Sequence, residues 1–318
     1  MLRRLSLAAV LSLAFASIAF AKGDAISLIP NDAVTVGVVR LADLRNSPLS
    51  STLFQQTDKM SVDGDAAIFL AEAGLQPSKD VDVLVIATSP KTTLGTDAEV
   101  LIAADGRFNI DRLTKALIAR GAVKKNNYLI LPESKNDRDQ NGAVAFPDAH
   151  LAIIGSESAV AEALATRAKG GTTFLTASGL GREIARIDPH ASAYAVFDVA
   201  RVARFTHGPH VPSTSSAASS LETALKSVST VALWATDSGD SLKLGGFGIS
   251  RDAETLQLLE DTIKGALAAM RLAVQDKSPE LVGVLRHFDV SRTSDTVAIS
   301  GSVPAQTLKD FVAKQHAR

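Results

Sequence analysis

Apolar positions along this chain fall into short alternating or near-continuous runs, separated by longer stretches in which they recur every three or four residues. That pattern predicts strands interleaved with helices. Residues 34–40 read as a strand that turns directly into a helix near Leu41, and residues 192–198 repeat the arrangement with a helix starting near Val199. Each pair is followed by a helical stretch, then by a near-continuous apolar strand at 81–88 or 228–236. A turn and a further strand come next, at 99–104 or 242–250. Helices are predicted at 110–120 and 252–275, the second carrying Leu256, Leu259, Ile263, Leu267 and Met270 at helical spacing. Strands at 128–131, 143–146 and 151–154 and a helix at 158–167 close the first series. Strands at 285–290 and 296–300 and a helix at 304–314 close the second.

The two series run in the same order. Ile29-Pro30-Asn31-Asp32-Ala33 before the first has its echo in Ile187-Asp188-Pro189-His190-Ala191 before the second. The pattern therefore predicts an α+β protein of two tandem, ferredoxin-like-related repeats. Each should carry an antiparallel or mixed sheet with helices packed on one face and a core of its own. The expected division is a signal peptide at 1–21, repeat 1 at 22–170 and repeat 2 at 171–318, with the boundary near Lys169-Gly170-Gly171-Thr172-Thr173. A short helix at 180–187 leads into repeat 2. Residues 207–220, rich in Ser and Pro, read as a mobile loop before a helix at 221–226.

Composition narrows the function classes. The chain of 318 residues is 46% hydrophobic and 21% charged, as a folded protein is. Its 33 Lys and Arg nearly balance 34 Asp and Glu, so no basic footprint for nucleic acid exists. It has no cysteine, which excludes disulfides, thiolate chemistry, Cys-ligated zinc and a lipobox anchor. Met1 to Arg4 followed by the apolar stretch 5–20 and the small-x-small site Ala19-Phe20-Ala21 has the order of a cleaved secretory signal. The expected location is periplasmic or extracellular, with Lys22 as first mature residue and no membrane span after cleavage.

Candidate chemistry is sparse. Asp137-Arg138-Asp139-Gln140-Asn141-Gly142 fits the first half of a calcium loop. Asp137, Asp139 and Asn141 would supply side-chain oxygens, Ala143 a carbonyl, and Asp148 the closing carboxylate at the twelfth position. The same residues also read as a hairpin turn on Asn141-Gly142 between two strands, and both readings stand at this point. His207 and His210 have a spacing that metal ligands use, but zinc requires further ligands. The remaining histidines, 150, 190, 287 and 316, are isolated. Asp105 and Asp111 are the sort of acid pair that any chain with many carboxylates offers. The glycines at 245, 246 and 248 lie within a predicted strand and suggest a bulge or a close approach. No G-x-S-x-G, Ser-x-x-Lys or H-E-x-x-H motif is present, and no catalytic or cofactor-binding residue is assigned.

The run Leu28-Ile29-Pro30-Asn31-Asp32-Ala33, leading to Arg40-Leu41-Ala42-Asp43-Leu44-Arg45-Asn46-Ser47-Pro48-Leu49, resembles a group of uncharacterised exported bacterial proteins with two related α/β halves. Asp188-Pro189-His190-Ala191-Ser192-Ala193-Tyr194-Ala195-Val196-Phe197-Asp198 is similar to their second half. The resemblance implies an envelope or extracellular protein without known catalysis, and carries over no functional residue. The expected function is a non-enzymatic binding or scaffold protein of the cell envelope, whose partner is an envelope protein or a small ligand. The alternative is an envelope hydrolase, or a degenerate relative of one, with a site assembled from distant residues. A deep cleft joining a Ser or Asp to a His would favour the hydrolase, and an open sheet face would favour binding.

Overall fold

Among the described residues the alternating runs assemble into one antiparallel sheet of twelve strands. The structure, a computed structural model, describes residues 24–50, 54, 65–91, 98–132, 142–205, 228–275 and 279–316. The strands are β1 (Thr35–Arg40), β2 (Val81–Pro90), β3 (Ala98–Gly106), β4 (Val123–Lys125), β5 (Tyr128–Ile130), β6 (Gly142–Asp148), β7 (Leu151–Ser156), β8 (Ala193–Asp198), β9 (Thr230–Asp237), β10 (Ser241–Ile249), β11 (Asp289–Arg292) and β12 (Thr296–Pro304). Their spatial order is β11-β12-β10-β9-β8-β1-β2-β3-β7-β6-β5-β4. The signal-like residues 1–21, the loop 207–220 and the predicted helix 221–226 lie outside the described residues.

Neighbouring strands share faces through their register. Val38 faces Val85 and Tyr194; Val85 faces Ala103, which faces Ile153. On the same face Val36 faces Val196, then Ala232, then Phe247. These residues belong to one buried cluster that runs from Tyr128 to Phe247. The 3-10 helix Asp24–Leu28 and the helices Glu157–Ala168 and Gly179–Ile184 bring Ala25, Leu28, Val160, Ala163 and Leu180 to it. The expectation of two separate cores therefore fails: β1 pairs with β8 across the proposed boundary, and the main core crosses it.

The opposite parity of residues faces the other way, and helices cover that face as well. Ala104, Ala152 and Phe146 pack with Phe69, Phe108 and Leu113 beneath the helices Asp65–Ala73 and Ile110–Ala119. Val231, Val290 and Val297 pack with Leu256 and Leu259 beneath the helix Ala253–Gln275. The expected one-sided helix layer is thus corrected to helices on both faces. A strand buried at alternate positions on both sides needs a cover on both sides.

Local chemistry sets several helix starts. Ser156 accepts from the Ala159 N–H at 3.2 Å, Asn109 from Arg112 at 3.1 Å, and Ser178 from Gly181 at 2.7 Å, each satisfying an amide that the first turn leaves unpaired. Gly170 and Gly171 have φ of +92° and +99°, which turn the chain out of Glu157–Ala168 at the predicted boundary. One element changes type. The predicted strand 285–290 is instead the end of a helix, Pro279–Arg286, followed by β11. Val282, Val284 and Leu285 mimic strand alternation, but Pro279 opens a helix, and Arg271 of the neighbouring helix donates to the Leu285 carbonyl at 2.8 Å. The three-residue edge strand β4, exposed along its length, was below the reach of periodicity.

Candidate functional site: an open apolar sheet face and a carboxylate cluster

Among the described residues, no helix covers the second face of the sheet between its two helical covers. Register lines up Ile154, Ile102, Ile86, Gly37, Ala195 and Leu233 on six adjacent strands, from β7 across the seam to β9. The row spans about 24 Å at the usual interstrand spacing. Val100 stands beside it, opposite Thr88. Exposure is 42% for Ile86, 44% for Val100, 41% for Ile154 and 51% for Leu233. Single exposed apolar residues are ordinary, but a contiguous row of them on a rigid sheet is a recognition surface in the making. Gly37 and Ala195, the smallest members, lie at its centre.

On the first face a group of carboxylates surrounds the amino-terminal 3-10 helix. Asp105, at the end of β3, accepts from the Ala25 N–H at 3.0 Å through Oδ1, while Oδ2 is buried without a hydrogen-bond partner. Burial pushes the Asp105 carboxyl up to about 6, aided by the charges of Asp24, Asp82 and Asp148 and opposed by the Ala25 hydrogen bond. Arg167 ties the group together, pairing with Asp148 at 2.5 Å and Asp24 at 3.2 Å. Beside it a cleft of about 590 Å³ is lined by Asp24, Ser27, Phe146, Pro147, Leu164 and Arg167, among others. Nearby, Glu157 accepts from Lys125 at 2.5 Å and from the Tyr128 hydroxyl at 2.7 Å, and these two bonds hold its carboxyl below the usual range.

Two histidine rings are engaged with backbone carbonyls. His150 Nδ1 lies 3.1 Å from the Gly106 carbonyl, and His287 Nδ1 lies 2.8 Å from that of Gly283. His190 sits in a turn where its N–H donates to Asp188 at 2.9 Å. Asp111 is exposed in the first turn of Ile110–Ala119, whereas Asp105 is held in the carboxylate group, so the two occupy different settings. His207 and His210 lie outside the described residues. Among the described residues no group of three or more His, Asp or Glu could hold a metal ion.

Of the calcium-loop residues, Asp137, Asp139 and Asn141 lie outside the described residues. Ala143 is buried within β6, paired with Ile130 and Gly155. Asp148 ends the same strand, about 20 Å from Gly142 at the rise of an extended chain. A twelve-residue calcium loop curls so that its first and twelfth positions meet at one centre. Here an extended strand occupies its second half, and Asp148 is bound to Arg167 and to the His150 N–H at 2.7 Å. Asp148 is thus a strand-end residue that pairs with Arg167 in the carboxylate cluster, while the calcium reading turns on Asp137, Asp139 and Asn141 outside the described residues.

The glycine-dense strand is explained by side chains rather than by a bulge, since β10 keeps unbroken register with both neighbours. A Cβ on Gly245 would fall on the Trp234 ring, and one on Gly246 would meet Leu233 and Ile299.

Asp105 lies one residue past the predicted strand 99–104 and was missed as a buried group; carrying the alternation of Leu101 and Ala103 one step further is the signal that could have found it. The apolar row was not legible, since alternation says which residues share a face but not which strands lie side by side.

The molecule thus belongs to the α+β class, with mixed helix and a single wide antiparallel sheet. Among solved structures, crystal form III of the treponemal protein TP0453 matches with a TM-score of 0.50 at 10% identity, over 92% of this chain and 98% of that one. Crystal forms I and IV give TM-scores of 0.49 and 0.46 at 7% and 9% identity, over 92% of this chain and 98% and 97% of theirs. The likeness is one of fold alone. No protein-family model matches the chain, and no curated protein matches it.

Proposed function

We propose that the chain is an exported, non-enzymatic binding or scaffold protein of the cell envelope, which engages its partner through the open apolar face of the sheet. The observation that carries the reading is the row from Ile154 to Leu233 on six rigid strands. A binding protein needs a preorganised apolar surface, and a sheet floor holds it at little entropic cost. The signal-like leader supports export, and among the described residues no helix is long and apolar enough to cross a membrane. The duplicated origin of residues 22–170 and 171–318 draws support from the strand order. It reads outward from β1 as β2, β3, β7, β6 and outward from β8 as β9, β10, β12, β11.

Three measurements test this. Cell fractionation with N-terminal sequencing is expected to recover the protein outside the cytoplasm beginning at Lys22; recovery with Met1 in the cytoplasm overturns export. An apolar fluorescent dye is expected to bind the folded protein and to lose most of that binding in Ile86→Ser/Leu233→Ser. Unchanged dye binding by that folded variant overturns the assigned surface. Turnover of ester, peptide or glycoside substrates that His150→Ala abolishes would replace the reading with the hydrolase alternative.

A further inference from the structure

The 3-10 helix Asp24–Leu28 is fastened to the rest of the protein in an unequal way. Ala25 and Leu28 are fully buried in the main core, and the Ser27 carbonyl accepts from Thr172 N–H at 2.9 Å. Ile26 packs against the same core, and the polar attachments of the segment's first two residues pass through one carboxylate cluster: the Ala25 amide to Asp105, and the Asp24 carboxylate to Arg167. Among the described residues, Asp105 is the member of that cluster without an ion-pair partner. Asp82 of β2 has Arg45 at 2.5 Å, and Asp148 of β6 shares Arg167 of the helix Glu157–Ala168 with Asp24. His150, in the turn after β6, faces the Gly106 carbonyl and donates its own amide to Asp148.

We propose that Asp105 is a proton-operated clasp: with its carboxyl protonated the segment Asp24–Leu28 stays docked on the sheet, and with it ionised the segment lifts more readily. A charge on the buried, unpartnered Oδ2 lacks a donor, and neighbouring Asp24, Asp82 and Asp148 repel it. Lifting the helix lets water reach the carboxylate, so ionisation and opening are coupled. The sign follows from a carboxyl raised to about 6 in the folded state against an ordinary 3.8. Docking is strongest below the ordinary value and is lost as pH rises through about 6. Asp24 and Ser27 line the 590 Å³ cleft, so opening widens that cleft at neutral pH.

Hydrogen–deuterium exchange of the purified protein between pH 4.5 and 8, corrected for the intrinsic rate, tests the clasp at the peptide carrying residues 24–33. Full coupling of a two-unit displacement would be a hundredfold change; screening by the water that reaches part of the side chain reduces the expected loss of protection to about tenfold. Asp105→Asn keeps an acceptor for the Ala25 amide and cannot ionise, so its protection should stay high and flat. Wild-type protection that does not fall with pH, or a fall that survives in Asp105→Asn, overturns the proposal. So does a fall that disappears in His150→Gln. If Asp105→Asn fails to fold, Asp24→Asn decides: removing the neighbouring charge brings the folded-state carboxyl of Asp105 down towards its ordinary value, so the loss of protection should shrink and be complete at a lower pH, and an unmoved profile overturns the clasp.

Discussion

Val38 of β1 stands directly opposite Tyr194 of β8, and at that pair the two halves of the chain become one sheet. Both are buried, and Arg40 secures the seam from its edge. Its guanidinium lies 6.0 Å from the centre of the Tyr194 ring and donates to the Ala191 carbonyl at 2.6 Å. Backbone bonds from Arg40 N–H to Ser192 and from Asp198 N–H to Val34 extend the ladder past both ends of the paired register.

Because the core crosses this seam, damage deep in one half should be felt in the other. Ile153→Ala, in β7 of the first half, is expected to cost about 2–5 kcal/mol. Trp234 fluorescence, a probe in the second half, should report the lower urea midpoint together with far-ultraviolet circular dichroism. A Trp234 midpoint that stays at the wild-type value while the dichroism splits into two transitions would mean that the halves unfold separately.

Two strand glycines should respond oppositely to a methyl group. A Cβ on Gly245 falls on the Trp234 ring, so Gly245→Ala should cost about 1–3 kcal/mol by overpacking. It should also shift Trp234 emission. Gly37, on the open face, has its nearest neighbour, the Ile86 carbonyl, at 4.0 Å, and Gly37→Ala should stay within about 0.5 kcal/mol of wild type. Equal destabilisation by both would refute the packing account.

Asp188 and Asp105 should impose opposite pH dependences. The His190 amide and the Thr236 hydroxyl hold the Asp188 carboxyl below its ordinary value. Its contribution is therefore present above the ordinary carboxylate range and lost as pH falls through the lowered value. Asp188→Asn should lower the urea midpoint at pH 7 and lose that deficit in acid. Asp105→Asn should do the reverse, raising the midpoint at pH 7 to 8 and converging with or falling below wild type near pH 4. Parallel profiles for the two variants would contradict the assignments.

Asp148 should behave as a structural acid. Asp148→Asn removes the 2.5 Å pair with Arg167 and should lower stability modestly, without altering the response to calcium. Calorimetric titration is the measurement. Micromolar calcium binding that is lost in Asp148→Asn would establish the twelve-residue loop instead.

Much of the architecture was readable from local pattern. Alternation placed most of the strands, and Gly170-Gly171 marked the expected boundary, because each depends on backbone preferences within a few residues. Asp105 fell one residue past the predicted strand 99–104, and its place on the face of Leu101 and Ala103 came only with β3 running on to Gly106. Tertiary structure decided the rest. Whether β1 would end a sheet or pair with β8, more than 150 residues away, is a choice among edges that local preference does not distinguish. That one pairing merged two expected cores and brought Ile86 and Leu233 into a common row. It likewise took tertiary packing against the helix Ala253–Gln275 to hold residues 279–286 helical, and the extension of β6 to carry Asp148 away from Gly142 and towards Arg167. Spacing along a chain specifies which faces residues share, while the neighbours those faces meet are set by long-range pairing, whose free energy depends on the whole sheet.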